Sequence, residues 1–213
     1  MQEQQPTTSR RTQEERRTEA RRRVLEAATE LVAQHGSRSV SLAAVGDRAG
    51  YSRGIVNHHF GSKTRLVAAV LEHSQNFATP DDAATGLGRL TELIRTYLGV
   101  IRDRSPRPEA FLQLWAESMG AEPTLKPLFT ERDSWFQDLL SGHIRDGIAD
   151  GSVRPDADPD TTALTVVGLL RGTAMLLLST ADKASATAVA GRAAAMVERD
   201  LATSRRTPAA PTR

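Results

Sequence analysis

The chain has 213 residues and no cysteine, and its 39% hydrophobic content includes only 4% aromatics. That excludes a disulfide framework, a zinc–thiolate site and a thiol nucleophile, and it suits a core of Leu, Val, Ala and Ile. Net charge is only +2, yet residues 1–65 carry 12 Lys/Arg against 7 Asp/Glu while the remainder is acidic, so a polyanion-binding front end is joined to a body of another kind.

The opening MQEQQPTTSRRTQEERR has no apolar stretch and does not read as a signal peptide. Residues 1–13 are expected to form a disordered basic leader. From Thr18, TEARRRVLEAATELVAQHG sets Val24, Ala28, Leu31 and Val32 on one helical stripe, which Gly36 stops. Ser41 then caps a helix of about two turns with Leu42 and Val45 inward, closed by Gly50. Ser52 caps a second short helix through about Phe60. Gly61 breaks it, and Ser62 caps a helix with Leu66, Ala69, Val70 and His73 in register.

FATPDDAATG, residues 77–86, reads as the connecting loop between a head at 14–76 and a body at 87–204. In the body, Leu90, Leu93, Ile94, Tyr97, Leu98 and Ile101 repeat at helical spacing. Helices are also expected at 107–120, across Leu128 to Ile144, from Pro159 onward and over about 184–201, with a disordered tail at 205–213. No segment alternates as a strand does. The fold class is all-α, with about nine helices. The most apolar segment, TALTVVGLLRGTAMLLLST at 162–180, carries Arg171 at its centre and two glycines, which argues against a membrane span. A cytoplasmic protein with no membrane partner is expected.

A short helix, a Gly-containing turn and a second short helix make a helix-turn-helix, whose second helix is offered to the major groove. Here the chain resembles the TetR family of bacterial transcriptional regulators. The resemblance rests on Ser41, Val45-Gly46, Ala49-Gly50-Tyr51-Ser52, Gly54-Ile55-Val56-Asn57-His58-His59-Phe60 and Lys63, and it covers roughly residues 18–75. Asn57 stands where the family usually has Tyr. Gly46 replaces the usual Ala, a change expected to cost somewhat under ~1 kcal/mol of helix stability.

The resemblance implies double-stranded DNA, a pseudo-palindromic operator, as a partner. Arg53, Gly54 and Ile55 lie where side chains reach base edges, Arg53 toward guanine O6 and N7 and Ile55 toward a thymine methyl. Ser41, Ser52, Asn57, His58, His59 and Lys63 are expected to position the backbone, and Arg10, Arg11, Arg16 and Arg17 to follow it or to enter the minor groove. Phe60 is expected in the core. In the body, Phe111, Trp115, Met119, Trp135, Leu139, His143, Arg171 and Met175 are candidates to line a pocket for a small-molecule effector. Arg171 needs a partner, either a carboxylate such as Glu117 or an anionic ligand; a protein partner would favour a neutral effector. A body with no cavity large enough for a small molecule would leave a regulator controlled by other means. Gly168 and Gly172, with the Ala-rich last helix, suggest a homodimer built as a four-helix bundle.

The remaining motifs carry no chemistry. His58 and His59 are adjacent and point about 100° apart on a helix, which does not suit chelation. DADPD at 156–160 opens like a calcium loop but has Thr161 where Gly is required and Val167 where Glu is. GLG at 86–88 lacks the third glycine of a dinucleotide loop, and no hydrolase, Walker or His-Glu-x-x-His pattern occurs. No catalytic residue, metal or cofactor is expected. The leading function is a ligand-released repressor; an activator, a partner-gated regulator and a sequence-neutral architectural DNA binder are the alternatives.

Overall fold

The computed structural model describes residues 12–74, 83–103, 105–120, 122–179 and 183–203; the expected leader up to Arg11, most of the connecting loop and the tail lie outside them. Within that range the chain is all-α, as its periodicity required, with nine α-helices and no strand. They are α1 (Gln13–Ser39), α2 (Leu42–Ala49), α3 (Arg53–Phe60), α4 (Lys63–Ser74), α5 (Gly86–Gly99), α6 (Pro106–Ser118), α7 (Lys126–Asp150), α8 (Pro159–Ser179) and α9 (Lys183–Leu201). Two short 3-10 turns, Val100–Asp103 and Pro123–Leu125, went unanticipated.

The first four helices share a core from the expected stripes. Val24, Ala28 and Val32 of α1 are fully buried with Val45, Val56, Leu66 and Val70, and Phe60 closes the cluster at 6% exposure. Thr12 begins α1 with a reciprocal capping box to Glu15, and Ser41, Ser52 and Ser62 each accept a backbone N–H three residues on.

At Gly36 the α1 backbone turns out of the helix (φ 75°, ψ 168°) and one further turn follows. That turn is held from α6. The Glu117 carboxylate accepts the Ser37 N–H at 3.1 Å and the Ser37 hydroxyl at 2.5 Å, and Gln113 steadies it with a 2.9 Å bond. The positive φ at Gly36 favours glycine, and a Cβ there would lie 2.3 Å from Glu117 Oε1 and displace the carboxylate that holds Ser37.

In the body, α5 lies between α9 and α7, and α7 packs along α8. Leu90, Leu93, Ile94, Leu98, Leu114, Leu140, Ile144, Leu170 and Leu201 are fully buried at the centre. Asp158 of DADPD caps α8 by accepting the Asp160 and Thr161 N–H groups and the Thr161 hydroxyl. These hydrogen bonds hold the Asp158 carboxyl below its usual range. By length and composition α8 is one helix that would span a membrane. Instead it buries Ala163, Val166, Val167, Leu170, Arg171, Ala174 and Leu177 against the body.

Candidate DNA-reading face and interior cavity

The placement of α3 follows from its two large apolar residues. Val56 and Phe60, one turn apart, are buried, so the opposite side of an eight-residue helix must face water. Arg53, Gly54, Asn57 and His58 are exposed there, and Ile55 is 39% exposed. Ile55 is the apolar side chain on this otherwise polar exposed face. The nine expected DNA-facing residues lie on α3, at its N-cap, at the start of α4 or at the N-cap of α2, and three of them have internal duties. Ser41 and Ser52 are N-caps. Lys63 donates from Nζ to the Arg38 carbonyl at 2.9 Å, tying α4 to the end of α1.

His59 is half-buried. Its ring meets His58 edge-on at 5.6 Å between centroids and lies 6.4 Å from Phe60. Burial, and after it His58, Arg17 and Arg21, lowers its pKa from the ordinary 6.5. Arg21 itself lies over the Phe60 ring at 5.5 Å. Arg17, already expected at the DNA backbone, and Arg21, which the sequence motif did not single out, both stand close enough to α3 to act on His59.

The α2–α3 turn is unusually tight. Gly50 ends α2 in the left-handed region, and the Tyr51 N–H returns to the Gly46 carbonyl at 2.8 Å. A Cβ on Gly46 would lie 2.6 Å from the Tyr51 carbonyl oxygen. Gly46 is thus a close-approach position, which corrects the expectation that it merely weakens the helix.

In the body, a cavity of about 30 Å³ lies among α5, α6, α7 and α8 and reaches the end of α4 at Ser74. Its wall includes Tyr97, Val100, Ile101, Phe111, Leu112, Phe136, Ala174 and the guanidinium-bearing Arg132 and Arg171. Of the expected lining, only Phe111 and Arg171 are on this wall. Met119, Trp135 and Met175 are exposed, at 66%, 47% and 43%. Leu139 is half-buried against the core, and His143 faces α5, where its Nδ1 accepts Arg89 Nε at 3.4 Å. Ser118, expected as a polar point on the wall, donates to the Trp115 carbonyl within its own helix.

Arg171 is 5% exposed and its partner is Asp133, not Glu117. Nη1 reaches Asp133 Oδ2 at 2.8 Å, and Nη2 bonds Oδ1 in a two-pronged pair. Its guanidinium also covers the Trp115 ring at 4.9 Å and the Phe111 ring at 5.8 Å. Tyr97 stacks on Phe136 at 5.8 Å, and Phe136 on Trp135 at 6.3 Å. Burial pushes the Tyr97 hydroxyl above its ordinary pKa against the pull of Arg171 and Arg132, and it pushes Arg132 below its own.

Outside this cavity, α8 presents Leu164 (58% exposed), Gly168, Gly172, Met175 and Leu176 (68% exposed) as an uncovered apolar strip, with Met196 of α9 also exposed.

Two family models match the chain. Residues 24–70 match "Bacterial regulatory proteins, tetR family", and residues 86–194 match "Tetracyclin repressor-like, C-terminal domain". The HTH-type transcriptional regulator UidR of Escherichia coli K12 is 22% identical over 154 residues, 71% of this chain and 78% of that protein. A transcriptional regulator from Saccharomonospora viridis solved with choline is 26% identical with a TM-score of 0.68, covering 87% of this chain and 99% of the other. The SmeT–triclosan complex shares the fold at a TM-score of 0.70 and 22% identity, covering 87% and 93% of the two chains.

Proposed function

The chain belongs to the TetR family of bacterial transcriptional regulators, and from that we propose that it is a homodimeric repressor released from a pseudo-palindromic operator by a small molecule. The observation that carries the proposal is α3 itself, a short helix anchored by Val56 and Phe60 with Arg53, Ile55, Asn57 and His58 turned outward. Arg53 and Ile55 have the chemistry for base edges, and His58, His59 and Lys63 for phosphates. The body at 87–204 supplies dimerisation and sensing, and the exposed strip of α8 suits pairing with its copy about a two-fold axis. Two heads so joined read successive major grooves about 34 Å apart. A protein of this kind works on the chromosome, in the cytoplasm.

The cavity sets a condition on the sensor. At about 30 Å³ it has room for roughly one water, and an effector needs several hundred Å³. Effector binding therefore selects a conformer in which the wall has opened, and the affinity falls by the fraction of chains in that state. By volume alone the body meets the condition for a regulator controlled by other means, so the second reading is a regulator gated by a partner protein, and the sensor reading requires the opened wall.

Selection of bound duplexes from random DNA, followed by footprinting, tests the DNA half. The expected result is a discrete palindrome whose affinity drops steeply with salt. Arg53→Ala should cost about 1–3 kcal/mol and relax one base pair per half-site, whereas Lys63→Ala should weaken all sequences alike. Equal affinity for random duplex would refute the proposal. A thermal-shift screen decides between the sensor and the partner-gated reading.

A further inference from the structure

We propose that the effector is an uncharged, largely apolar molecule carrying a carbonyl-type hydrogen-bond acceptor, which Arg171 receives through Nε–H with Ser74 beside it. The proposal rests on the reading of the cavity as the effector site and specifies the chemistry of what enters.

Two buried polar atoms on residues lining this cavity, Arg171 Nε and Ser74 Oγ, have no hydrogen-bond partner. The rest of the Arg171 guanidinium is committed to Asp133 and to the Tyr97 hydroxyl. A buried donor without a partner is costly, and an acceptor placed there recovers the bond. Most of the remaining wall is apolar, with Val100, Ile101, Phe111, Leu112, Phe136 and Ala174 in contact with the space.

The sign of the ligand's charge follows from the pairing. Arg171 and Asp133 together are formally neutral, so a carboxylate at Nε gains no excess positive charge from this pair and approaches Asp133 with its like charge. A cation would meet the positive charge that Arg132 adds to the neutral Arg171–Asp133 pair, a charge that offsets only part of the cost of setting a carboxylate against Asp133 on the same guanidinium. A neutral acceptor pays neither penalty. The Ser74 hydroxyl, at the last residue of α4, supplies a second donor or an acceptor for a ligand hydroxyl. The present volume takes little more than the acceptor group, and the apolar remainder must spread the wall.

The test uses the full-length protein and three probes of one size: acetophenone, benzoate and ethylbenzene. Binding is read by quenching of tryptophan fluorescence, since Trp115 lies under the Arg171 guanidinium, and by thermal shift. Acetophenone should bind about tenfold or more tightly than either other probe, as expected for a hydrogen bond from a charged donor. Ser74→Ala should reduce acetophenone affinity severalfold and leave ethylbenzene unchanged. Asp133→Asn, which keeps one acceptor for Arg171 and removes the compensating charge, should reverse the order in favour of benzoate, a result that loosened packing would not give.

Wild-type protein that binds benzoate as well as acetophenone, or ethylbenzene as well as acetophenone, overturns the proposed chemistry and leaves the effector site standing. If none of the three binds up to its solubility limit, the effector-site reading fails and this proposal with it.

Discussion

Gly46→Ala sets two effects of opposite sign against each other. In an ordinary helix interior the change stabilises by ~0.8–1.0 kcal/mol, because glycine loses more backbone entropy on folding. Here the new methyl carbon would lie 2.6 Å from the Tyr51 carbonyl oxygen and 3.2 Å from Arg53 N and the Ser52 carbonyl carbon. Carbon and carbonyl oxygen tolerate about 3.3 Å, so the turn must retreat by roughly 0.7 Å. All three obstructing atoms are backbone and cannot rotate away, which places the cost in the upper half of the ~1–3 kcal/mol typical of overpacking. The net expectation is a loss of about 1–2 kcal/mol. Urea denaturation at fixed protein concentration, with an unchanged slope, would read it as a lower midpoint. Gly54→Ala is the control, since its nearest neighbour would be Ser52 Oγ at an ordinary 3.6 Å and it should not destabilise. The same retreat of the turn displaces α3 by more than the ~0.5 Å a binding constellation tolerates, so operator affinity should fall as well. A Gly46→Ala protein about 1 kcal/mol more stable than wild type, with unaltered DNA binding, would refute the close-approach account.

Glu117→Ala removes the carboxylate that holds Ser37 and should destabilise by about 2 kcal/mol, the scale of a hydrogen bond to a charged group; thermal unfolding would show it, and an unchanged midpoint would discount the tie. Gly172→Leu enters open space within the protomer, where an added Cβ meets nothing within 4 Å. Sedimentation should therefore find helical monomers, and an intact dimer would remove this face from the interface. Stability should also fall as pH drops below about 6.5. His59 and His73 both have pKa values lowered from 6.5, each chiefly by burial, with Arg17, Arg21 and His58 adding at His59 and Arg107 opposing Glu26 at His73. The unfolded chain then takes up the protons first, so acid favours unfolding. The urea midpoint should decline from pH 7 to 5.5, with a flatter slope in His59→Asn; an unchanged slope there would shift the effect to other groups.

Helix boundaries were legible because their signals are local. Gly50 and Gly61 ended helices through bonds spanning three and four residues, Ser41, Ser52 and Asp158 began them through bonds spanning three, and at Gly36 the chain kinks but goes on for one more turn to Ser39. The outward face of α3 was legible for the same reason, since Val56 and Phe60 fix its rotation. The body resisted because spacing within one helix says nothing about which neighbour covers it. Met175 follows Arg171 by one turn, yet Arg171 is buried and Met175 is on the surface. Asp133 lies 38 residues from Arg171 and became its partner through the packing of α7 on α8. Glu117, the nearer candidate by chemistry, was already engaged by Ser37 of α1. Gly46 failed differently, because a propensity scale has no term for a carbonyl oxygen folded back over the helix.

The tie between Gly36-Ser37 and Glu117-Gln113 bears on how such regulators can be recombined. Hybrid proteins are commonly imagined as one reading head spliced to another sensing body within the linker. In this molecule the splice would separate Gly36 and Ser37 from the side chains that shape their surroundings, for α1 is seated on α6. A foreign body lacking a carboxylate at the position of Glu117 would leave the Ser37 N–H, on a residue 1% exposed, without its acceptor. A bulkier residue there would press on the one position of α1 that has no side chain to yield. Functional exchange therefore demands that residues 113 and 117 travel with the head, although they belong by sequence to the other half of the chain.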